Sequence, residues 1–342
     1  MVINLPKITD LDVSGKRVLV RLDLDCEPDP NDLRIKASEE TLNYLKEKNS
    51  QIIILAHRGR PTGDRDRDRD LSLGPFQKIF DKWGAKVEEN LRFDPGEEAN
   101  DPKFVRKLAS LGDIYHGVAS SAYVNEAFGN SHREHASIVS LPKLLPHAAG
   151  LRFEKEIENL SRVFDNPKRP VIFIVGGSKK DKLDCIEDLK NVADKILIGG
   201  RLPDYLRDTG YSLPVRQAGI LDTKILVANL LPDKEDINPN SMEKFEIEIE
   251  KAGTIVLAGP MGKYEDEGHG QGTERIFKAV ANSPAFKIAG GGDTVKILQA
   301  LSAVEGFDWI SVGGGAMLEF LAKRTLPGIK ALESANLNME GW

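Results

Sequence analysis

The chain has 342 residues, 40% of them apolar and 29% charged, with a formal net charge of −6. That length implies two domains, and the acidic balance gives no support to a nucleic-acid or anionic-membrane partner. No apolar run approaches the ~18–20 residues of a membrane helix. The opening MVINLPKITDLDV places Lys7 and Asp10 inside what would have to be a signal's apolar region, so a cytoplasmic protein is expected. Cys26 and Cys185 are few and far apart, which argues against a disulfide framework or a cysteine zinc site and fits a reducing compartment.

In chain order, the first half reads as strands alternating with helices, and its strand ends carry charge. KRVLVRLDLD (16–25) is a strand delivering Asp23 and Asp25, and RIKASEETLNYLKE (34–47) is a helix opened by Arg34. SQIIILAHRGRP (50–61) is a strand delivering His57, Arg58 and Arg60. DRDRDRD (64–70) follows a Pro-Thr-Gly turn, alternates in sign and reads as a solvated loop. ENLRFD (89–94) reads as a strand end delivering Arg92, and YVNEAFGNSHREHAS (123–137) delivers His132, Arg133 and His135. Parallel strands would bring these arginines to one cleft, where guanidinium groups bind phosphate and carboxylate in bidentate geometry. No carboxylate or third histidine follows His132 and His135 at ligand spacing, so an anion-contacting or structural role is expected there instead of a metal pair.

The stretch 148–168 holds one helix, with Ile157, Leu160 and Phe164 on its apolar face, and then a Pro-bounded loop; it reads as a hinge. Beyond it, five apolar runs each end in glycine: PVIFIVGGSK (170–179), DKILIGGR (194–201), GTIVLAGPMG (253–262), FKIAGGGDT (286–294) and WISVGGGAM (309–317). Short β-branched runs of this kind are strands buried on both faces. Helical stretches are expected at 181–192, 294–301 and 316–323. Glycine at a strand's carboxyl end lets a ligand approach bare N–H groups, and five at equivalent places point to an extended anion such as a polyphosphate. The pattern gives two α/β domains with parallel sheets, 1–150 and 169–324, facing across a hinged cleft. A basic anion site and a glycine-lined nucleotide site suit phosphoryl transfer. Neither G-x-x-x-x-G-K-[ST] nor G-x-G-x-x-G nor G-x-S-x-G occurs, which argues against a Walker ATPase, a nicotinamide dehydrogenase and an α/β-hydrolase.

Ten stretches in order carry a resemblance to the phosphoglycerate kinase family, reaching to about Leu332. They are KRVLVRLDLD, RIKA, AHRGRP, ENLRF, YVNEAFGNSHREHAS, GGSKKDK, GPMGKYE, AGGGDT, SVGGGAMLEFL and LPGIKAL. The resemblance implies two Rossmann-like three-layer domains and a glycolytic, monomeric enzyme. It would transfer phosphate between 1,3-bisphosphoglycerate and ADP, with Mg2+, giving 3-phosphoglycerate and ATP. Carried over by motif, Asp23, Asp25, Arg34, His57, Arg60, Arg92 and Arg133 would line the 3-phosphoglycerate site, with Arg34 also stabilising the phosphoryl group in flight. Lys179 would neutralise that group, and Lys182 would hold the nucleotide phosphates. Gly177, Gly199, Gly200, Pro260, Gly291, Gly292 and Thr294 would line the nucleotide, Glu265 would reach the ribose, and Asp293 would meet the magnesium. Gly313, Gly314 and Gly315 would set a helix N-terminus near the transferring phosphate. Residues 325–342 would return to the first domain.

The sequence also departs from the family pattern. The chain is shorter, with gaps between Val87 and Glu88 and between Gly210 and Asp236, where the remaining residues can supply one strand at most, and it has an apparent insertion at 115–122. Asp25 stands where the family has Asn, Ala258 replaces the Asn before Gly-Pro, and Val312 replaces a Thr. GGSKKDK is one residue short, which leaves Lys179 and Lys180 both open as the catalytic cation. Asp25, Ala258 and the trimmed adenine pocket favour an alternative: a degenerate member that binds phosphoglycerate or nucleotide with little turnover.

Overall fold

The computed structural model of the chain describes residues 3–64, 66–112, 114–115, 118–119, 121–208 and 223–334. Two compact units emerge, one from the chain up to Ile157 together with Thr325 onward, the other Glu158–Arg324.

In the first unit the strands are β1 (Arg17–Arg21), β2 (Gln51–Leu55), β3 (Lys86–Val87), β4 (Ile114–Tyr115), β5 (Val118–Ala119), β6 (Ser121–Asn125) and β7 (His147–Ala149). Five of them form a sheet in the order β3-β2-β1-β6-β7, every pair parallel, while β4 and β5 pair antiparallel by themselves. Val18, Val20, Ile52 and Ile54 are buried together with Leu42, Leu45, Phe76 and Phe80, so the apolar runs meet a helical layer instead of water. Helix α1 (Leu33–Glu47) begins where the Asp32 side chain accepts the Arg34 N–H at 2.8 Å, which fixes Arg34 in the first turn. Helices α2 (Gln77–Phe80), α3 (Pro102–Ala109) and α4 (Leu151–Ser161) follow. The buried Glu126, at the end of β6, accepts the Arg152 and Phe153 N–H groups at 3.1 and 2.9 Å.

Three expectations need correction here. ENLRFD is not a strand: Leu91–Phe93 is a 3-10 turn beyond β3. Asn90 imposes it, because its amide donates to Arg58 O at 2.7 Å and Leu71 O at 2.9 Å while its oxygen accepts the Arg92 N–H at 3.1 Å. The DRDRDRD segment is not uniformly solvated, because Asp68 is buried and accepts the Thr62 and Gly63 N–H groups, each at 2.9 Å. The last two residues of the apparent insertion, Ser121 and Ala122, belong to β6 and pair with Arg17 and Val18 of β1.

The second unit contains β8 (Val171–Val175), β9 (Lys195–Ile198), β10 (Ile225–Val227), β11 (Thr254–Ala258), β12 (Phe286–Gly290) and β13 (Trp309–Ser311). They form one parallel sheet in the order β10-β9-β8-β11-β12-β13. Each of the five glycine-ended runs is therefore a strand. Helices α5 (Ile186–Leu189), α6 (Leu202–Asp208), α7 (Pro239–Lys251), α8 (Gln271–Asn282), α9 (Gly292–Ala300) and α10 (Gly314–Lys323) connect them. The expected helix at 181–192 is mostly a 3-10 segment, Lys180–Cys185, leading into the short α5. The shortened region supplies β10, and residues 211–222 lie outside the described ones.

Both sheets reverse their strand order beside the first strand, at β1/β6 and at β8/β11. In an open parallel sheet that reversal leaves a crevice at the carboxyl ends of the two strands. The division between the units falls inside α4. Helix α11 (Pro327–Glu333) packs on the first unit. There Gly328 N donates to Ser131 O at 2.8 Å, His147 Nε2 lies 3.1 Å from Leu332 O, and Ala331 clusters with Ala127, Ile138 and Val139. Of the expected tail, 335–342 lies outside the described residues.

Candidate functional site

In the first unit the residues after β1 and β2 and the turns holding Arg92 and Arg133 bring a cluster of cations together. Arg34 Nε lies 3.6 Å from Asp23 Oδ2, and Arg34 Nη1 donates to the Asp25 carbonyl. Burial works against the Arg34 charge, but Asp23, Cys26, Asp32 and Asp25 outweigh it and hold its pKa above the usual value. Asp25 is exposed, and its Oδ1 accepts the Gly59 N–H at 2.8 Å, which ties the loop bearing Arg60. Arg60 is itself exposed, without a hydrogen-bonded partner among the described residues, whereas Arg58 is committed to Glu27 at 2.7 Å and to Asp70 O. Arg92 is buried, donating to Gly59 O at 2.7 Å and lying 2.8 Å from Glu98, while its Nη2 has no hydrogen-bonded partner among the described residues. Arg133 Nε is likewise buried without one. Such unmatched donors are costly unless a ligand supplies acceptors.

His57 is almost fully buried, and its Nδ1 lies 2.7 Å from Arg21 Nη2. A guanidinium can only donate, so Nδ1 is the acceptor and the imidazole proton resides on Nε2. Burial, then Arg21 and Arg92, pushes the His57 pKa far down, and the ring is neutral. His135 is also neutral, its pKa lowered to about 3 by burial and by Arg92, Arg21 and Arg133. Arg21, Glu97 and Ser137, none of them candidates from the sequence, form the buried layer behind this cluster. Arg21 was hidden as one more strand residue in VRLDLD.

In the second unit the reversal at β8/β11 opens a cavity of about 500 Å3. Among the residues lining it are Gly177, Gly200, Arg201, Pro260, Glu265 and Asp293. The loops are packed backbone to backbone: Gly177 N donates to Pro260 O at 2.7 Å, Gly200 N to Met261 O at 3.0 Å, and Arg201 N to Gly177 O at 3.0 Å. Gly200 has φ +61°, and a Cβ on it would overlap the Gly177 backbone, so only glycine closes this wall. Lys182 is half-buried and donates to Gly176 O at 2.7 Å and Ala258 O at 3.1 Å. Burial lowers its pKa to about 8, opposed by Asp293.

Asp293 is exposed in the first turn of α9, and Lys179 and Lys180 are both exposed after β8. Thr294 is placed differently from a ligand contact: it is buried, and its hydroxyl oxygen accepts the Gly259 N–H at 2.8 Å. Gly199 is buried against Met261, and Gly314 packs on Gly291, joining the starts of α9 and α10, with Gly292 and Gly315 exposed and Gly313 buried. Sequence reasoning missed Arg201 and Glu235, which face each other across 3.3 Å at the cavity. The GGR triplet was the available signal for Arg201.

A parallel sheet of dinucleotide-fold order, with glycine walls, a lysine and a carboxylate at its reversal point, defines an α/β protein that handles phosphate chains. Comparison with known proteins narrows this. The family model "Phosphoglycerate kinase" matches residues 8–88, 85–212 and 221–324, breaking near both expected gaps. The phosphoglycerate kinase of Dictyoglomus turgidum is 36% identical over 95% of this chain and 98% of its own length; that of Herpetosiphon aurantiacus is 35% identical, over 96% and 99%. Among solved structures, phosphoglycerate kinase from Coxiella burnetii superposes with a TM-score of 0.74 at 28% identity, covering 96% of this chain and 99% of that one. The enzyme from Pyrococcus horikoshii gives 0.75 at 27%, covering 96% and 98%. This chain belongs to the phosphoglycerate kinase family.

Proposed function

We propose that this protein transfers a phosphoryl group reversibly between 1,3-bisphosphoglycerate and ADP, giving 3-phosphoglycerate and ATP, and that the two sites described above are its substrate sites. The observation that carries the reading is the cavity at the β8/β11 reversal, lined by Gly177, Gly200 and Asp293 and with the Lys182 ammonium beside Gly177, in a unit of the family's fold. In the first unit, Arg60, Arg92 and Arg133 would bind the phosphate and carboxylate of 3-phosphoglycerate. His57 would donate through Nε2, and Asp23 would accept from the substrate hydroxyl. Arg34, held by Asp23 and the Asp25 carbonyl, would act on the phosphoryl group in transit. A loosely bonded phosphoryl group needs positive charge on its oxygens and alignment, not a covalent nucleophile.

In the second unit, Lys182 and the start of α9 would hold the nucleotide phosphates, Glu265 the ribose, and Lys179 or Lys180 the transferring group. The donor set fits Mg2+, because Asp293 is one exposed carboxylate without a hydrogen-bonded partner among the described residues, and magnesium is usually held by one or two carboxylates plus phosphate oxygens and water. When bound, the ion supplies charge neutralisation on those phosphates. No observation favours the non-catalytic alternative. Ala258, which motivates it, still binds Gly176 N and Lys182 through its carbonyl, a contact independent of its side chain. A monomer in the cytoplasm completes the reading, in keeping with two free cysteines. The test is a coupled assay of ATP-dependent 1,3-bisphosphoglycerate formation, with turnover expected only when 3-phosphoglycerate, ATP and Mg2+ are all present.

A further inference from the structure

Behind the cation cluster of the first unit lies a polar chain in which the donor direction of each link is fixed. Glu97 and Arg21 are both 0% exposed. Glu97 Oε1 accepts the Ser137 hydroxyl at 2.5 Å, and its Oε2 accepts the Ser137 N–H at 3.0 Å. Because that hydroxyl proton is given to Glu97, the Ser137 oxygen is free to accept from Arg21 Nε, which it does at 2.8 Å. Arg21 Nη2 in turn donates to His57 Nδ1 at 2.7 Å. Glu97 Oε1 also stands 3.8 Å from both Arg21 Nη2 and His135 Nδ1. Among the described residues it is the only carboxylate within ion-pair distance of Arg21.

We propose that Glu97 is a positioning residue for the acidic substrate: through Ser137 and Arg21 it fixes His57 as the Nε2–H tautomer and balances the buried charge beneath Arg92 and Arg133. The inference rests on the assignment of the first unit to phosphoglycerate. Its physical basis is acceptor capacity. An ionised carboxylate offers two acceptors to two donors of Ser137, whereas a glutamine amide offers one and sets an N–H against either the hydroxyl or the Ser137 N–H. If the hydroxyl turns to meet that clash, its lone pair no longer faces Arg21. The guanidinium, having lost the Glu97 counter-charge, is then free to leave His57.

The experiment uses the full chain with 15N-labelled histidine. In wild type, the His57 ring nitrogens should show a single Nε2–H tautomer that does not titrate between pH 5 and 8. In Glu97→Gln, His57 should become a tautomer mixture or begin to titrate. Calorimetry should then show the Kd for 3-phosphoglycerate raised about 10-fold or more, as expected for a lost hydrogen bond to a charged group, with MgADP affinity within about twofold. Ser137→Ala keeps the Glu97 charge, removes the relay and should give the same two signatures; it decides the matter should Glu97→Gln fail to fold. An unchanged His57 spectrum with unchanged 3-phosphoglycerate affinity, whatever happens to the melting temperature, would overturn the proposal. A changed His57 spectrum in a protein whose wild type binds no 3-phosphoglycerate would instead overturn the substrate assignment and leave the wiring intact.

Discussion

The Lys182 ammonium should make nucleotide binding depend on pH. It is half-buried against Gly176 O and Ala258 O, and burial brings its pKa from 10.5 to about 8. A cation whose folded pKa lies below its unfolded value costs stability while charged. That cost is present below about 8 and is lost as pH rises toward 10.5. Nucleotide phosphates favour the charged form, so binding restores the proton. At pH 9 only about a tenth of free protein carries it, and the Kd for MgADP should rise roughly tenfold between pH 7 and pH 9, or about 1.4 kcal/mol. The phosphates of the nucleotide lose their last protons near pH 6, below this window. Calorimetry at pH 7, 8 and 9 in two buffers of different ionisation enthalpy measures both the affinity and the proton uptake. Lys182→Met should bind weakly at all three values, with no uptake. Equal wild-type affinity at pH 7 and pH 9, with no proton taken up, would refute this reasoning.

Other expectations follow from neighbouring contacts. Arg34→Ala, and Lys179→Ala or Lys180→Ala, should lower kcat much more than they raise KM for the respective substrate, since their charge acts where phosphoryl charge develops; steady-state kinetics of all three variants identifies which lysine carries the role. Asp25→Asn should keep the Gly59 tie, because an amide oxygen also accepts, while removing a negative charge from the acidic substrate's surroundings. Tighter 3-phosphoglycerate binding is expected by titration, and equal affinities across salt concentrations would show that Asp25 has no part in binding. Gly200→Ala places a Cβ at φ +61° against the Gly177 backbone, so the thermal midpoint should drop and nucleotide affinity fall with it, at a cost of about 1–3 kcal/mol in backbone strain.

Five of the six strands of the second unit were legible because each of those apolar runs ends in glycine, a signal carried by single residues and independent of partners; β10 has no such ending. Lys182 and Asp293 could be named only through the family resemblance, whereas Arg34 and His57 could be named from the runs they open or end. The layer beneath them could not. Arg21 sits inside a β-strand pattern, and nothing in the sequence says that a strand arginine will be wholly buried by a glutamate 76 positions away. ENLRFD failed as a strand because Asn90 satisfies loop carbonyls that a ladder cannot reach. DRDRDRD failed as a solvated run because one of its carboxylates, Asp68, finds two backbone donors in the turn before it. In each case a long-range or cross-loop hydrogen bond overrides a local pattern, and side-chain chemistry alone does not name its partner.

The most direct measurement of phosphoryl transfer by this chain is formation of the acyl phosphate from 3-phosphoglycerate and MgATP by the purified protein, coupled to its reduction. Turnover should require both substrates and should be lost in Arg34→Ala. Binding of both substrates by calorimetry without acyl phosphate formation, under conditions where an active phosphoglycerate kinase of another source turns over in parallel, would contradict the proposed function.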